Sequence, residues 1–425
     1  MADAQGDTWD VVVIGAGVAG LSSAMQLARR GLRVVVLERE RIGNGSTGRA
    51  AGLLGQLRGT PEATRLLMDG LAIVRELEQR AGTEIFVQTG SVRVAASPER
   101  AREVVDLVAM GRAIDFEIEH IDNHELGNLL PYMKTEDVVD ACHCPTDGHL
   151  QPAELAAAYV SVGREAGVEF RQHVPVDEIV VEHDRVRGVK CGQSTVSAPV
   201  VINASGPWSY RVAGYVDACL PTAAIGHHYL TTRPDDAHPV DRMSPAIRDR
   251  HNRIYARPES GGLIVGMYGT SAEVFDMSRL GSEFDMSAMK ARRDDINVAT
   301  LIHAAQQRFS WINERTPMTI TTGIMTFTPD GKPLCGEIPG VAGLFHCSGF
   351  CGHGIVQSPL IGSIMADLII DEQTEYDISV LEADRFFEMD GYVERAEIES
   401  RCFEMHAGYY GRVETGVSDA GDSDR

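Results

Sequence analysis

The chain's most constraining feature is a glycine-rich turn at residues 15–20 (GAGVAG), which lies between two apolar runs. The runs Val11–Ile14 and Val34–Leu37 each predict a buried strand, and residues 21–30 have the apolar spacing of a helix. Glu38 directly follows the second run. A strand, a glycine turn, a helix and a second strand that ends in an acid form the pattern that binds a dinucleotide.

Each part of this pattern has a physical role in dinucleotide binding. Gly15 permits a tight turn, Gly17 lets the backbone approach the pyrophosphate, and Gly20 lets the helix pack closely on the strand. The start of the helix offers free N–H groups and a positive dipole end to the phosphates. Glu38 suits the ribose hydroxyls of FAD or NAD and argues against NADP, so the motif leaves the choice between FAD and NAD open.

Length, charge and cysteine usage narrow the class of protein. A chain of 425 residues suggests two to three domains. The formal charge of −22 argues against nucleic acid or an anionic membrane as a partner. No apolar stretch reaches the roughly 18 residues of a membrane span, and no signal peptide or targeting extension is expected. The eight cysteines lack a disulfide framework, and the Cys142–Cys144 cluster lacks a second ligand pair, so we expect reduced thiols, a cytoplasmic location and no metal.

A second glycine-rich segment, residues 41–55, indicates backbone that runs close to something large and flat. An isoalloxazine ring is one candidate, and a flexible surface loop is the alternative.

Three further segments complete a set with the two already described: 146–152 (TDGHLQP), 201–209 (VINASGPWS), and 328–334 taken with 349–355. In order and spacing this set resembles the D-amino-acid oxidase and sarcosine oxidase superfamily of flavoproteins. The nearest likeness is to the FAD module of dimethylglycine and sarcosine dehydrogenases.

The resemblance implies FAD as the cofactor and an α/β fold. A Rossmann-like FAD-binding domain would be interleaved with an α+β substrate domain built on an antiparallel sheet. The expected FAD-binding segments are 1–90, 145–222 and 322–375, and the expected substrate-domain segments are 91–144 and 223–321. Residues 376–415 are expected to form a C-terminal helical extension and residues 416–425 a disordered tail.

The fingerprint and the resemblance together predict which residues contact FAD. They are Gly15, Gly17, Val18, Ala19, Gly20, Glu38, Arg39, Gly45, Ser46, Thr47, Arg49, Ala50, Ala51, Gly52, Leu53, Val176, Ala204, Ser205, Gly206, Trp208, Gly352, His353, Gly354 and Ile355. Arg49 stands where the related dehydrogenases carry a histidine that bonds to the flavin, and residues 321–329 contain no cysteine. We therefore expect non-covalent FAD. The folate-binding half of those dehydrogenases is not expected here, so a folate-coupled reaction is not supported.

The resemblance implies oxidation of the CH–NH bond of a secondary or tertiary amine or an amino acid, such as an N-alkyl glycine, to an imine. O2 or another electron acceptor would reoxidise the flavin. A dehydrogenase is favoured over a fast oxidase because residues 263–268 lack the lysine that activates oxygen in sarcosine oxidases. Two alternatives stay open: a 2-hydroxy-acid oxidoreductase on the same fold, and a flavin subunit that is active only in a hetero-oligomer. Homo-oligomerisation is also left open.

Five residues are predicted to act on the substrate side. His228 and Tyr255 lie on strands that face the flavin in the family, and a histidine there could bind a carboxylate or accept the amine proton. A structural histidine is the alternative interpretation. Arg58 and Arg257 are candidates for a bidentate grip on a carboxylate. His353 lies in the turn before a helix whose N-terminus suits negative charge at the flavin N1–C2=O edge.

Overall fold

The computed structural model describes residues 8–280, 284–290 and 295–409. The strands in these ranges are β1 (Val11–Ile14), β2 (Val34–Glu38), β3 (Leu53–Leu54), β4 (Phe86–Val87), β5 (Ser91–Ala95), β6 (Glu119–Ile121), β7 (Asp140–Cys144), β8 (Gly148–Leu150), β9 (Glu169–Gln172), β10 (Glu178–Glu182), β11 (Arg185–Cys191), β12 (Ser194–Ser197), β13 (Val200–Asn203), β14 (Ala223–Thr232), β15 (Ala246–Asp249), β16 (Ile254–Glu259), β17 (Gly262–Met267), β18 (Val274–Phe275), β19 (Met318–Phe327), β20 (Leu334–Glu337) and β21 (Leu344–Ser348). The helices are α1 (Val18–Arg29), α2 (Pro61–Ala81), α3 (Pro98–Ala113), α4 (Asn123–Leu129), α5 (Pro152–Glu165), α6 (Ser209–Ala213), α7 (Ile296–Arg308), α8 (Gly354–Ile370) and α9 (Arg395–Gly408).

A six-stranded sheet with the order β20-β21-β13-β1-β2-β9 carries the glycine turn. Its pairs are parallel except for β20 with β21. All four residues of β1 are buried, which explains why its sequence is a continuous apolar run rather than an alternating one. Because β1 pairs with β2 on one side and β13 on the other, a crevice opens at the carboxyl ends of these strands, where doubly wound folds bind ligands.

Helix α1 packs directly on β1 and is covered by α5 and α8. A Cβ atom built on Gly20 in this helix would lie 2.1 Å from the carbonyl oxygen of Gly15. That separation is far below van der Waals contact. The close approach of helix to strand therefore requires glycine at position 20, as the fingerprint predicts.

A second sheet, largely antiparallel, has the order β18-β14-β17-β16-β15-β5-β7-β6, and β19 pairs along the other side of β14. One face of this sheet is apolar and packs against α7, with Leu230, Ile254, Ala256 and Val265 all buried in the same cluster as residues of that helix. Side chains alternate between the two faces of a strand, so the intervening residues point towards the first sheet. This alternation decides which residues can reach the crevice.

The predicted fold class is confirmed: a parallel, dinucleotide-type sheet is interleaved with an antiparallel one. The predicted boundary at residue 322 falls inside β19, which pairs with β14 from Met318 to Phe327. Residues 318–327 therefore belong to the antiparallel sheet. In the expected C-terminal extension, α9 packs on β14 and β19. The predicted tail at 416–425 lies outside the described residues.

The described ranges contain neither a candidate membrane span nor a candidate metal site. None of the helices there is both long and apolar enough to cross a membrane. No group of three or more His, Cys, Asp or Glu side chains is placed to hold a metal ion in the same part of the chain.

Candidate functional site

A long cavity of about 370 Å³ lies between the two sheets. Its floor is built from the carboxyl ends of β1, β2 and β13, the glycine turn after β1, and the second glycine-rich segment. Its far wall is formed by the face of the antiparallel sheet that points away from α7, together with the turn that begins α8. The volume is in the range of small-molecule and cofactor sites.

The glycine turn has the geometry that a pyrophosphate site needs. Gly15 has a φ of +103°, and a Cβ atom there would lie 2.7 Å from the carbonyl oxygen of Ala204. A Cβ atom on Gly17 would have one near neighbour, Thr47 Oγ1 at 3.3 Å, so this backbone faces open space in the cavity. The Val18 N–H donates to the same Thr47 oxygen at 3.1 Å, which fixes the segment containing Thr47 over the start of α1.

Glu38 is held rigidly at the end of β2. Its Oε2 accepts a hydrogen bond from the Ala16 N–H, and its Oε1 accepts one from the Glu40 N–H, both at 2.8 Å. Burial raises the pKa of this carboxyl above its usual value, and the two backbone donors oppose that rise. The side chain lines the cavity, where an acid is suited to accept hydrogen bonds from ribose hydroxyls.

The second glycine-rich segment runs along the cavity as close-packed backbone and not as a free loop. A Cβ atom on Gly52 would lie 2.0 Å from the Leu150 carbonyl oxygen, so the chain passes tightly over β8. Arg257 reaches across from β16, and its Nε donates to the carbonyl oxygen of Ala51 at 2.5 Å. Within the described residues, Arg49 Nε is buried and has no hydrogen-bond partner, which is what a donor awaiting a ligand would show.

Comparison with known proteins identifies the family. A model of the family described as FAD dependent oxidoreductase matches residues 10–368. The chain belongs to this family. It is 31% identical over 392 residues to human mitochondrial sarcosine dehydrogenase, covering 89% of the chain and 41% of that relative. It is 26% identical over 413 residues to rat mitochondrial dimethylglycine dehydrogenase, covering 95% of the chain and 48% of that relative.

The chain thus spans less than half the length of these two relatives. Among solved structures, L-proline dehydrogenase from P. horikoshii matches with a TM-score of 0.80 at 22% identity, covering 90% of this chain and 98% of the other. At that identity the likeness shows the fold alone, and it agrees with the architecture described above.

The residues present fit FAD, the family's cofactor. Every residue predicted from the sequence to contact FAD lines the cavity except Gly20, whose role is the helix packing already described. A further donor, Trp208 Nε1, is buried and without a partner among the described residues, and the Arg39 guanidinium lies 4.4 Å from the Trp208 ring centroid. The individual contacts of these residues with FAD remain a prediction.

Sequence reasoning missed a cover on the cavity that comes from a distant part of the chain. Phe284 and Met286 line the cavity, and the Phe284 carbonyl oxygen accepts a hydrogen bond from Arg39 Nη2. Next to them, Asp285 Oδ1 accepts from Asn44 Nδ2 at 2.8 Å. No local sequence pattern predicts these contacts, because the partners are more than 240 residues apart.

The turn before α8 has the shape that the sequence suggested. Gly352 has a φ of +83°, and a Cβ atom there would lie 2.8 Å from the Tyr268 hydroxyl oxygen. Gly354 and Ile355, at the start of the 17-residue helix α8, line the cavity with His353. The positive end of the helix dipole is therefore directed at this end of the cavity.

On the substrate side, one face of the antiparallel sheet brings together three polar side chains. Arg248 and Tyr255 lie directly opposite each other on β15 and β16, so they share a face. The Tyr255 hydroxyl is 2.8 Å from His227 Nε2. The Tyr255 ring reaches His227 by passing over Gly266, where a Cβ atom would lie 2.1 Å from the tyrosine oxygen. All three polar side chains line the cavity.

Tyr255 and His353 therefore line the cavity as predicted, but His228 does not. Its position on β14 points it to the opposite face, towards α7, where its Nδ1 lies 3.1 Å from Thr322 Oγ1. The adjacent His227 takes the place that the sequence interpretation gave to His228. The period-two alternation of strands predicts that only one of two adjacent histidines faces the cavity, but not which one.

The two arginines proposed for a substrate carboxylate also lie outside the cavity lining. Arg58 Nη1 donates to the carbonyl oxygens of Gly55 and Leu57, at 2.9 and 2.8 Å. Arg257 is fully buried, with hydrogen bonds to backbone carbonyls and an ion pair with Glu259 at 2.7 Å. Both arginines donate to backbone carbonyls of the second glycine-rich segment, Arg58 at Gly55 and Arg257 at Ala51. Arg248, which sequence reasoning missed, is the arginine that faces the cavity beside Tyr255.

Proposed function

We propose that this chain oxidises the CH–NH bond of a secondary or tertiary amine that bears a carboxylate, such as an N-alkyl glycine. The observation that carries the proposal is the juxtaposition of a buried histidine–tyrosine pair, His227 and Tyr255, with Arg248 on one wall of an FAD-type cavity. The two relatives described above, a sarcosine dehydrogenase and a dimethylglycine dehydrogenase, are named for N-methylated glycines, which supports the same substrate class. We assign His227 to the substrate nitrogen and Arg248 to the substrate carboxylate.

Bound FAD would accept the hydride equivalent from the carbon next to nitrogen. The nitrogen lone pair then forms the C=N bond, and water hydrolyses the resulting imine or iminium to an amine and a carbonyl compound. This chemistry requires an unprotonated nitrogen. Burial holds the pKa of His227 well below its usual value, with smaller contributions from His406 and His228, so its ring is neutral and can accept a hydrogen bond.

Arg248 is suited to the carboxylate because a guanidinium presents paired donors in a planar fork. It flanks Gly55 together with Asp147: a Cβ atom on Gly55 would lie 3.0 Å from Arg248 Nη2 and 3.3 Å from Asp147 Oδ2. Asp147 in turn accepts hydrogen bonds from the Gln56 N–H at 2.8 Å and from the Ser91 hydroxyl at 2.6 Å. These hydrogen bonds fix the segment beside Arg248, so the carboxylate and the amine of the substrate would be held at defined positions.

The pH dependence of flavin reduction tests the role of His227. The pKa of His227 is lowered, so this side chain is already neutral near pH 6.5. Its titration therefore adds no rise to the pH–rate profile above that value. We expect the rate of anaerobic flavin reduction by N-methylglycine to rise from pH 6 to 9 as the amine loses its proton. His227→Gln should lower the rate about fivefold, through one lost hydrogen bond, with the same pH midpoint. A midpoint that moves in His227→Gln would show that the histidine itself titrates.

We further propose that FAD is bound without a covalent bond and that the enzyme is cytoplasmic. Arg49 lines the cavity, and Cys347 and Cys351 line it as buried thiols whose pKa values burial raises to about 12. A protonated thiol is a poor nucleophile towards a flavin. Acid precipitation of the holoenzyme should therefore leave the flavin in the supernatant. A yellow pellet that survives proteolysis as a flavin-bearing peptide would contradict this expectation.

A further inference from the structure

The C-terminal helix ends at a residue that contacts the cavity lining, although the helix lies beyond the region matched by the family. That match ends at residue 368, whereas α9 spans Arg395–Gly408 and is followed by Tyr409. The helix is anchored at its start by Arg395, whose Nη1 donates to the Thr222 carbonyl oxygen at 2.5 Å. At its end the Tyr409 carbonyl oxygen accepts from Arg250 Nη2 at 3.2 Å. Both ends of α9 are thus tied to the antiparallel-sheet part of the molecule.

Tyr409 connects two residues that line the cavity on different parts of the fold. Its hydroxyl is 3.0 Å from His353 Nε2, at the turn that begins α8. Its ring stacks on Tyr268 with a centroid separation of 4.7 Å and an interplanar angle of 30°. The Tyr268 ring in turn lies 5.3 Å from the His227 ring. Tyr409 therefore bridges the α8 turn and the substrate wall of the cavity.

We propose that Tyr409 is a positioning residue of the active site and acts through His353. The stack on Tyr268 holds the Tyr409 ring in place, and the Tyr409 hydroxyl then orients the His353 ring beside the N-terminus of α8. That helix end is where backbone donors and the dipole would favour negative charge on bound FAD. Without the hydroxyl, the His353 ring loses one hydrogen bond that orients it at the cavity wall. The kinetic test of this proposal rests on the proposed function, whereas its spectroscopic test does not.

The test is a double-mutant cycle of Tyr409→Phe and His353→Asn in the full-length holoenzyme. Tyr409→Phe keeps the ring that stacks on Tyr268 and removes only the hydroxyl. We expect it to shift the visible absorption spectrum and the midpoint potential of bound FAD. We also expect it to lower the limiting rate of flavin reduction by N-methylglycine about fivefold, the size expected for one neutral hydrogen bond, with KM nearly unchanged. In the His353→Asn background, Tyr409→Phe should add almost nothing to either effect.

Tyr392→Phe is the matched control, because its hydroxyl donates to the Cys219 carbonyl oxygen at 3.2 Å in the same C-terminal region and the residue does not line the cavity. It should leave spectrum, potential and rate as in the unmodified enzyme. Additive effects of the two cavity substitutions, or a Tyr409→Phe spectrum and rate equal to those of Tyr392→Phe, would overturn the proposal. If N-methylglycine does not reduce the flavin at all, the proposed function fails, while the spectrum and potential still decide the role of Tyr409.

Discussion

Gly17→Val is expected to yield a folded protein that purifies without flavin and does not bind added FAD. The backbone at Gly17 has φ −77° and ψ 172°, an extended conformation that valine adopts without strain. The one atom near a Cβ atom there, Thr47 Oγ1 at 3.3 Å, belongs to a side chain that can shift slightly. The valine side chain would instead occupy the space where the pyrophosphate must approach the turn.

The flavin-to-protein ratio, from visible and ultraviolet absorbance, and the melting temperature of the apoprotein measure this effect. Gly127→Val on α4 is the control, since a Cβ atom there meets nothing within 4 Å and the position is away from the cavity. It should retain stoichiometric FAD. A Gly17→Val protein that binds FAD normally would show that the glycine turn is not the pyrophosphate site.

Arg248→Gln is expected to lower kcat/KM for N-methylglycine by roughly 30-fold or more, because loss of a partly buried charge pair costs about 2–5 kcal/mol. Activity with a neutral amine of similar size, such as N-methylpropylamine, should change little. The physical reason is that glutamine keeps much of the side-chain volume but loses the charge and the paired donors. The informative quantity is the ratio of kcat/KM for the two amines in each variant.

Arg58→Gln is the matched control for this selectivity. Its guanidinium bonds to backbone carbonyls and does not line the cavity, so any loss should fall equally on the carboxylated and the neutral amine. If Arg248→Gln impaired both amines equally, Arg248 would act on the structure of the site and not on the carboxylate. A selective loss in Arg58→Gln would restore the assignment made from the sequence.

The parts of the candidate site whose position could be predicted from the sequence are those set by local chain geometry. Gly15, Gly17 and Gly20 act within one turn and one helix, and Glu38 follows from the length of that helix and the next strand. Such relations are fixed by backbone sterics over a few residues. The same holds for Gly352, which begins the α8 turn at a positive φ.

The parts that sequence reasoning missed depend on strand register and on contacts between distant segments. Whether His227 or His228 faces the cavity follows from which face of β14 packs on α7, and no local pattern states this. Arg257 was predicted to bind a substrate carboxylate, but its position on β16 places its guanidinium against the Ala51 carbonyl oxygen. Arg248 becomes a candidate only because β15 pairs it with Tyr255. A one-residue shift in register would exchange each of these choices.

Anaerobic titration of the holoenzyme with candidate substrates tests the central claim most directly. The flavin absorbance at about 450 nm reports hydride acceptance without requiring knowledge of the physiological acceptor. The account predicts that N-methylglycine or N,N-dimethylglycine bleaches this band with release of formaldehyde after hydrolysis, and that glycolate and lactate do not. Bleaching by a 2-hydroxy acid and by no amine would contradict it.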